Sequence, residues 1–391
     1  MRGSIRQRSP GLWQIRWSET DPTTGRRIQR SRNVSGKKAD AERALRDVLA
    51  AKDAGTYVEP AKLTVREFLE RWLRDYLLPS GRAEWTRRTY ESILRTHVIP
   101  ALGAIPLQKL TPAALQRYYA EKRQGGAIGN AWTMPGKPLS TTTVAHHHAV
   151  IHEALEHAVK WGLVARNVAE AVNPPKIKRQ EMKTWTPEDV QRFLAAARDD
   201  RFYALFLAAI TTGMRQGELL GLRWQDVDLA AGVATVQQTL HKAGREPVFG
   251  RPKTERSRRR VVLLPELVAA LRAHKAAQNE ERLLLGTAYR DYGLVFAGEG
   301  GAALSASNLL KRHFRPVIER AGVPPLRFHD LRHTHASLLL ADGVHPKVVS
   351  ERLGHASVST TLDVYSHVLP DLQKDAVAGL QRRLFAAEAP R

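Results

Sequence analysis

The sequence predicts a multidomain protein: a small α+β N-terminal module, an all-α bundle, and a mixed, mainly α C-terminal domain with a small antiparallel sheet. The chain has 391 residues, enough for two or three domains. Strand-like alternation is confined to two short regions, whereas helical periodicity runs through most of the remainder. A stretch rich in proline and lysine, residues 173–185, has no periodicity and indicates a linker.

The composition indicates a polyanionic partner. Lys and Arg outnumber Asp and Glu by 61 to 39, which gives a formal net charge of +22 and a pI of about 10.5. Such a balance is typical of proteins that bind nucleic acid, although a soluble protein that is merely basic is the alternative. The lack of cysteine excludes disulfides, thiolate zinc sites and cysteine nucleophiles. The start has no apolar signal core and no apolar stretch could span a bilayer, so we expect a cytoplasmic protein.

Residues 1–58 are expected to form a small basic module, with 13 Lys and Arg against 6 acidic residues. The stretches LWQIRWSE and RRIQRSRNV flank DPTTG and predict two strands around a tight turn. A helix should follow, with Ser35 as its N-cap and Gly55 beyond its end. The module suits DNA binding; the alternative is a solubilising extension.

Residues 63–172 have helical periodicity throughout and predict a bundle of four or five helices. Each predicted helix begins at a Ser or Thr, the first at Thr64. The last contains His146, His147, His148, His152 and His157. Two of these lie one turn apart and would allow metal binding, but no further ligand pattern accompanies them. The sequence therefore favours a solvated or DNA-facing surface.

Residues 186–391 combine helices with strands. Thr186 should cap a helix that has Pro187 at its first position. YALFLAAI predicts a buried helix, followed by a break at Gly213 and another helix. GVATVQQTL and RRVVLLP predict two strands joined by a long hairpin. A C-terminal helix, DLQKDAVAGLQRRLFAAEA, carries an apolar stripe of Leu372, Ala376, Leu380 and Leu384.

The stretch RFHDLRHTHAS, residues 327–337, fits two kinds of site. Its histidines four apart resemble a zinc-protease helix, whereas its arginine suits an anion site. A zinc protease would need a glutamate base and a third ligand, and Arg332 places a fixed charge between the histidines. The mismatch favours the anion site, so we expect no metal there.

Further residues extend this anion site. Arg215 follows the Gly213 break at the start of a helix, where backbone N–H groups favour an anion. Glu218, one turn on, could orient Arg215. His355 lies in a Gly-His turn, and Tyr365 stands on a short helix after an STT cap, where a tyrosine can act as nucleophile. Arginines, histidines, a lysine and a tyrosine together suit phosphoryl transfer without a metal.

Four stretches, in order, resemble the active-site blocks of the tyrosine recombinases, the phage-integrase family: TGMRQGELLGLRWQDVDL, RPKTERSRRRVVLLP, HDLRHTHAS and LGHASVSTTLDVYSHV. Upstream, ALEHAVKWGLVARNVAEAV resembles the end of the family's core-binding domain, with Val168 in place of the usual proline. The resemblance spans about residues 63–370. It implies an arm-type DNA-binding domain at 1–58, a core-binding domain at 63–172, a linker at 173–185, and a catalytic domain with a C-terminal helix at 186–391.

The resemblance also implies roles. The catalytic set is Arg215, Lys253, His329, Arg332, His355 and Tyr365, with Glu218 and His333 in support. The arginines would clamp the scissile phosphate, and the two catalytic histidines would hydrogen-bond it and assist proton transfer. Lys253 would protonate the leaving 5′-oxygen, although Lys242 lies in the same hairpin region. Tyr365 would attack and form a 3′-phosphotyrosyl bond, so neither ATP nor a metal cofactor is needed.

These implications describe a site-specific DNA recombinase that integrates a mobile element, with excision left open. Its expected partners are double-stranded DNA with core and arm attachment sites, further copies of itself in a homotetramer on the DNA, and a candidate accessory bending or directionality factor, in the bacterial cytoplasm at the nucleoid. The C-terminal helix would dock on a neighbouring protomer or fold back on its own domain. The alternatives are a type IB topoisomerase, a catalytically idle DNA-binding protein and a metallohydrolase.

Overall fold

A computed structural model of the chain describes residues 3–20, 26–53, 57, 62–125, 136–177, 182–244, 246–250, 258–355 and 357–365, with 377, 378, 380, 381 and 384 near the C-terminus. The chain divides into two compact units, Met1–Arg179 and Gln180–Arg391. The predicted fold class is confirmed, with small antiparallel sheets in a mainly helical protein. None of the described helices is long and apolar enough to cross a membrane.

The first unit begins with a three-stranded antiparallel sheet in the order β1-β2-β3. Its strands are β1 (Gly3–Ser9), β2 (Leu12–Thr20) and β3 (Arg27–Ser35), followed by helix α1 (Lys38–Asp53). Helix α1 packs against the face of the sheet that buries Ile15 and Trp17. The two predicted strands are confirmed, whereas β1 was not predicted because GSIRQRS holds one large apolar residue.

The predicted cap of α1 is wrong. Ser35 ends strand β3, and the helix begins three residues later. Asp40 takes the capping role, because its Oδ2 accepts a hydrogen bond of 2.9 Å from the backbone N–H of Lys37. The predicted end at Gly55 lies outside the described residues.

A bundle of five helices within the described residues completes the first unit. The helices are α2 (Val65–Trp72), α3 (Glu84–Ile93), α4 (Ile99–Leu102), α5 (Pro112–Gly125) and α6 (Thr141–Lys160), with α2 and α3 each extended by a π-helical turn. Thr64 caps α2 in a reciprocal capping box with Glu67, as predicted. Helix α3 departs from the expected pattern, because it starts after Ala83 rather than at a Ser or Thr.

The second unit contains nine described helices. They are α7 (Pro187–Ala196), α8 (Tyr203–Thr212), α9 (Gln216–Leu220), α10 (Pro265–Leu285), α11 (Ala306–Leu309), α12 (Arg315–Ala321), α13 (Asp330–Ala341), α14 (Pro346–Leu353) and α15 (Val358–Tyr365). Helix α8 is buried along almost its whole length, and its Phe206 packs against Phe193 and Phe314, with ring centroids 5.5 to 5.8 Å apart. Thr186 caps α7 as predicted.

Five short strands form two small sheets in this unit. One has the order β4-β5-β8, from β4 (Val227–Asp228), β5 (Val233–Thr235) and β8 (Arg260–Val262), and the other pairs β6 (Thr239–Lys242) with β7 (Val248–Gly250). The single strand predicted for GVATVQQTL is therefore wrong. The chain passes from one sheet to the other between β5 and β6, where Gln238 Nε2 donates to Gly221 O at 2.9 Å. Gly221 permits this approach, since a Cβ there would lie 2.8 Å from Leu240 N.

Candidate active site

Arg332 is held by two backbone carbonyls. Its side chain points from helix α13 into the interior, where the residue is only 4% exposed. Nη1 donates to Gly213 O and Nη2 to Leu353 O, both at 2.7 Å. Gly213 has a φ of +63°, and a Cβ there would lie 2.6 Å from the ring of His335. The glycine break that ends α8 therefore presents the carbonyl that fixes Arg332.

Arg215 occupies the N-cap position of helix α9. Its Nη1 donates to Glu218 Oε1 at 2.7 Å, and its Nη2 donates to Gly354 O at 3.2 Å. The backbone N–H of Arg215 also donates to Glu218 Oε2 at 3.0 Å. Arg215 and Arg332, named the arginine pair below, bind the carbonyls of successive residues at the end of α14. Two guanidinium groups thus bind adjacent carbonyls, and the positive charge gathered there favours binding of an anion.

His355 follows the turn that the arginine pair binds. Gly354 adopts a φ of +68°, and His355 Nδ1 lies 2.8 Å from Thr361 Oγ1 in helix α15. Burial, with the charges of Arg332 and Arg215, lowers the pKa of His355 to about 4. The imidazole is therefore neutral near pH 7 and able to donate from one nitrogen while it accepts at the other.

His329 and His333 stand at the start of α13, with ring centroids 5.4 Å apart. Burial and the nearby charge of Arg332 lower the pKa of His329. Burial, with the neighbouring His329, lowers the pKa of His333 to about 4. The structure therefore brings together Arg215, Glu218, His329, Arg332, His333 and His355.

The other groups of the stretch at 327–337 are committed to partners of their own. Asp330 accepts a fork of hydrogen bonds from Arg327, with Nη2 2.7 Å from Oδ1. His335 Nε2 accepts from Arg352 Nε at 3.1 Å, under the Gly213 break. Burial, with the charge of Arg352, lowers the pKa of His335 to about 3. These contacts favour an anion site over a zinc site for the stretch.

Two predicted catalytic residues are not placed. Lys253 lies outside the described residues, in the segment 251–257. Tyr365 is the last residue of helix α15, and its side chain lies outside the described part of the structure. Lys242, the alternative to Lys253, is exposed on strand β6. The STT cap predicted for α15 is wrong, because the helix begins at Val358 and Thr361 lies inside it.

Sequence reasoning missed one buried arginine of the site, Arg259, whose Nη2 donates to Glu218 Oε2 at 2.9 Å. The run RSRRR does not by itself reveal which arginine points inward. Residues two apart in a strand share a face, so Arg259 lies on the same face as the buried Val261. This alternation could have identified Arg259 as the inward-facing arginine.

The histidines of α6 do not form one surface. His147 is 1% exposed and its Nδ1 lies 2.9 Å from the hydroxyl of Tyr118, so the predicted solvated or DNA-facing position is wrong for this residue. Its pKa is lowered to about 4, chiefly by burial. Among the described residues, His152, Glu156 and Glu170 have potential metal ligands within 4.8 Å of one another, which adds carboxylates that the sequence pattern did not show.

Comparisons with known proteins match the chain to a family of DNA integrases and recombinases. The description "Phage integrase family" matches residues 183–371, and "Phage integrase, N-terminal SAM-like domain" matches residues 64–123. A relative from Caldanaerobacter subterraneus subsp. tengcongensis, named "Tyrosine recombinase XerC-like", is 31% identical over 362 residues, which cover 88% of this chain and 89% of the relative.

Two solved structures have a similar fold, each at 18% sequence identity. A Tn1549 transposon integrase in complex with a circular intermediate DNA has a TM-score of 0.66 and covers 81% of this chain and 99% of its own. A lambda integrase tetramer bound to a Holliday junction has a TM-score of 0.53 and covers 90% and 95%. These matches do not favour the type IB topoisomerase alternative. The matched residues and the identity across almost the whole length show that the chain belongs to the phage integrase family of tyrosine recombinases, enzymes of site-specific DNA recombination.

Proposed function

We propose that this recombinase cleaves DNA by attack of the Tyr365 hydroxyl on a scissile phosphate bound by the arginine pair. The observation that carries the proposal is the convergence of Arg215 and Arg332 on the carbonyls of Gly354 and Leu353. Guanidinium groups fixed before the reaction can stabilise the charge that grows on the non-bridging oxygens without reorganising. Catalysis then needs no metal to supply positive charge.

The proposed step is a phosphoryl transfer from the DNA 5′-oxygen to the tyrosine. The bond from Tyr365 Oη to phosphorus forms while the bond from phosphorus to the 5′-oxygen breaks. A neutral histidine of the site accepts the phenolic proton, and Lys253 gives the leaving oxygen its proton. His329 and His355, neutral near pH 7, hydrogen-bond the phosphate and assist proton transfer. His333 supports His329. The 3′-phosphotyrosyl bond retains the energy of the phosphodiester, so rejoining needs no ATP.

The proposed domains are an arm-type DNA-binding domain at 1–58, a core-binding domain at 63–172, a linker at 173–185 and a catalytic domain at 186–391. The N-terminal sheet supports the first of these. Because Ile15 is buried on the α1 side, its neighbours Gln14 and Arg16 face the other way. The register adds Ser4, Arg6, Ser31 and Asn33 to that open face. Arginine, serine and amide side chains are the groups that contact DNA phosphates and bases.

The proposed partners are double-stranded attachment sites, read at core and arm positions, and three further copies of the chain. The similarity of fold to an integrase solved as a tetramer on a Holliday junction supports this assembly. We also propose that an accessory bending or directionality factor takes part, and that the protein acts at the bacterial nucleoid. The element is integrated, and excision by the same chemistry is left open.

Covalent trapping tests the proposed chemistry. The protein is incubated with labelled half-site DNA, nicked so that the cleaved fragment diffuses away, in excess chelator. We expect a 3′-phosphotyrosyl adduct at Tyr365, a free 5′-hydroxyl, and no adduct with Tyr365→Phe. An adduct of normal yield in that variant would move the nucleophile elsewhere, with Tyr289 and Tyr292 as candidates. Loss of cleavage in chelator, restored by zinc or magnesium, would favour the metallohydrolase.

A further inference from the structure

We propose that Arg259 is a positioning residue for the arginine pair, acting through Glu218 and through the turn that precedes His355. The inference rests on the proposed function and deepens it. Arg259 is 9% exposed, so its guanidinium lies beneath the site rather than on its open surface. Arg259 would fix the Glu218 carboxylate and the turn after α14, both of which bind Arg215.

The first link runs through a buried carboxylate. Glu218 accepts from Arg259 Nη2 at 2.9 Å on one oxygen and from Arg215 Nη1 at 2.7 Å on the other. The Glu218 side chain is 1% exposed. Although burial opposes it, the charge of Arg259 and its hydrogen bond hold the pKa of Glu218 low. Arg259 therefore maintains the ionised carboxylate that orients Arg215.

The second link runs through the end of helix α14. Arg259 Nε donates to Arg352 O at 2.6 Å, Arg332 Nη2 to Leu353 O at 2.7 Å, and Arg215 Nη2 to Gly354 O at 3.2 Å. Three successive carbonyls thus each bind one guanidinium. The last carbonyls of a helix have no hydrogen-bond donors within the helix and carry a partial negative charge. Here the three guanidinium groups provide both the donors and the positive charge.

The fit beneath Gly354 is close. A Cβ at Gly354 would lie 3.0 Å from Arg259 Nη1, and the glycine has a φ of +68°. The backbone of Arg259 is also fixed, because Val236 N donates to Arg259 O at 2.9 Å. The sheet, Glu218 and the turn that leads to His355 therefore meet at one residue, the sheet through its backbone and the other two through its side chain. A change there should shift the arginine pair without removing any group that contacts DNA.

Two other roles need to be separated from this one. Arg259 could serve stability alone, as buried ion pairs often do. It also lies six residues after Lys253, so it could act on the general acid instead. Each role has a chemical signature. A neutral methylphosphonate at the scissile position needs less positive charge, whereas a 5′-bridging sulfur leaves without a proton donor.

The test uses Arg259→Lys in the full-length protein, which keeps the charge but loses the fork that reaches Glu218 and Arg352 at once. Arg260→Lys is the matched control, since Arg260 is the exposed neighbour on strand β8. Single-turnover cleavage is measured at saturating protein on three half-sites: phosphate, methylphosphonate and 5′-phosphorothiolate. Half-site affinity is measured alongside.

We expect Arg259→Lys to cleave the phosphate substrate at least about tenfold more slowly than wild type, with half-site affinity little changed. On the methylphosphonate the deficit should shrink to about threefold or less, and on the phosphorothiolate it should persist. Arg260→Lys should match wild type on all three. The ratio of rates on two substrates does not depend on how much of the variant is folded, so partial unfolding cannot imitate the result.

Three outcomes would overturn the inference. A normal rate on the phosphate would show that the contacts of Arg259 do not bear on the chemical step. An equal deficit on all substrates would assign the residue to stability. A deficit that shrinks only on the phosphorothiolate would assign it to the lysine. If wild-type protein itself forms no adduct on the phosphate substrate, the proposed function fails instead.

Discussion

At the scale of single residues, the arginine pair is defined by what it binds within the protein. Arg332 makes two short bonds to carbonyls of different segments, so the position of its fork is set by the fold. A lysine at that position keeps the charge but cannot bind both carbonyls and a phosphate in one plane. The proposed chemistry therefore depends on the shape of the group as well as on its charge.

We therefore expect Arg332→Lys to slow strand cleavage by roughly a hundredfold or more, by analogy with the loss of one preorganised donor to a transition state. Arg327→Lys, at the exposed start of the same segment, is the control and should cleave normally. Single-turnover rates on a nicked half-site give the comparison. A near-normal rate for Arg332→Lys would leave Arg332 with a structural role.

The buried histidines make stability depend on pH. Burial lowers the pKa of His147, His333 and His355 to about 4 and that of His335 to about 3, whereas unfolded imidazoles titrate near 6.5. Below pH 6.5 the unfolded chain therefore binds more protons than the folded one, and stability falls as pH drops. We expect the urea midpoint to be steady from pH 7 to 8 and to decline progressively from pH 6.5 towards pH 4. A midpoint that is constant down to pH 5 would contradict these pKa values.

At the scale of elements, local signals predicted those parts of the fold that depend on neighbouring residues. The cap at Thr64, the cap at Thr186 and the break at Gly213 all follow from residues within one turn. The split of one predicted strand into β5 and β6 involves contacts with the distant Gly221 and pairing with two different partner strands. Strand alternation indicates that Arg259 faces inward, but its role could not be predicted, because its partners lie 41 and 93 positions away in the chain.

Gly213 provides a prediction at this scale. Alanine there would adopt a left-handed backbone and place its Cβ 2.6 Å from both His335 and Leu353, so the carbonyl that binds Arg332 must move. Gly232 is the control, since it has a similar φ of +64° but no atom nearer than 3.8 Å to a Cβ. We expect Gly232→Ala to cost about 1–2 kcal/mol of stability. Gly213→Ala should cost more and also slow cleavage, as denaturant titration and half-site cleavage would measure.

At the scale of the whole molecule, we propose that the C-terminal helix couples the active sites of neighbouring protomers. The described part of its stripe is open, because Leu380 is 56% exposed and Leu384 is 63% exposed, with both residues in helical conformation. Leu372 and Ala376 lie outside the described residues. Isolated exposed leucines are common, but a stripe that repeats along one helical face suits a partner.

The stripe begins seven residues after Tyr365, so a helix that docks on a neighbouring protomer would couple that protomer to the nucleophile. Truncation after Pro370 should then leave half-site binding by one protomer intact and weaken assembly of the four-protomer complex. Leu380→Ser with Leu384→Ser is a milder version that keeps the chain length. Gel-shift measurements of half-site binding and of the synaptic complex, on both variants and the full chain, separate the two effects. If the truncated protein unfolds as a monomer, the stripe packs on its own domain and exchange between protomers is excluded.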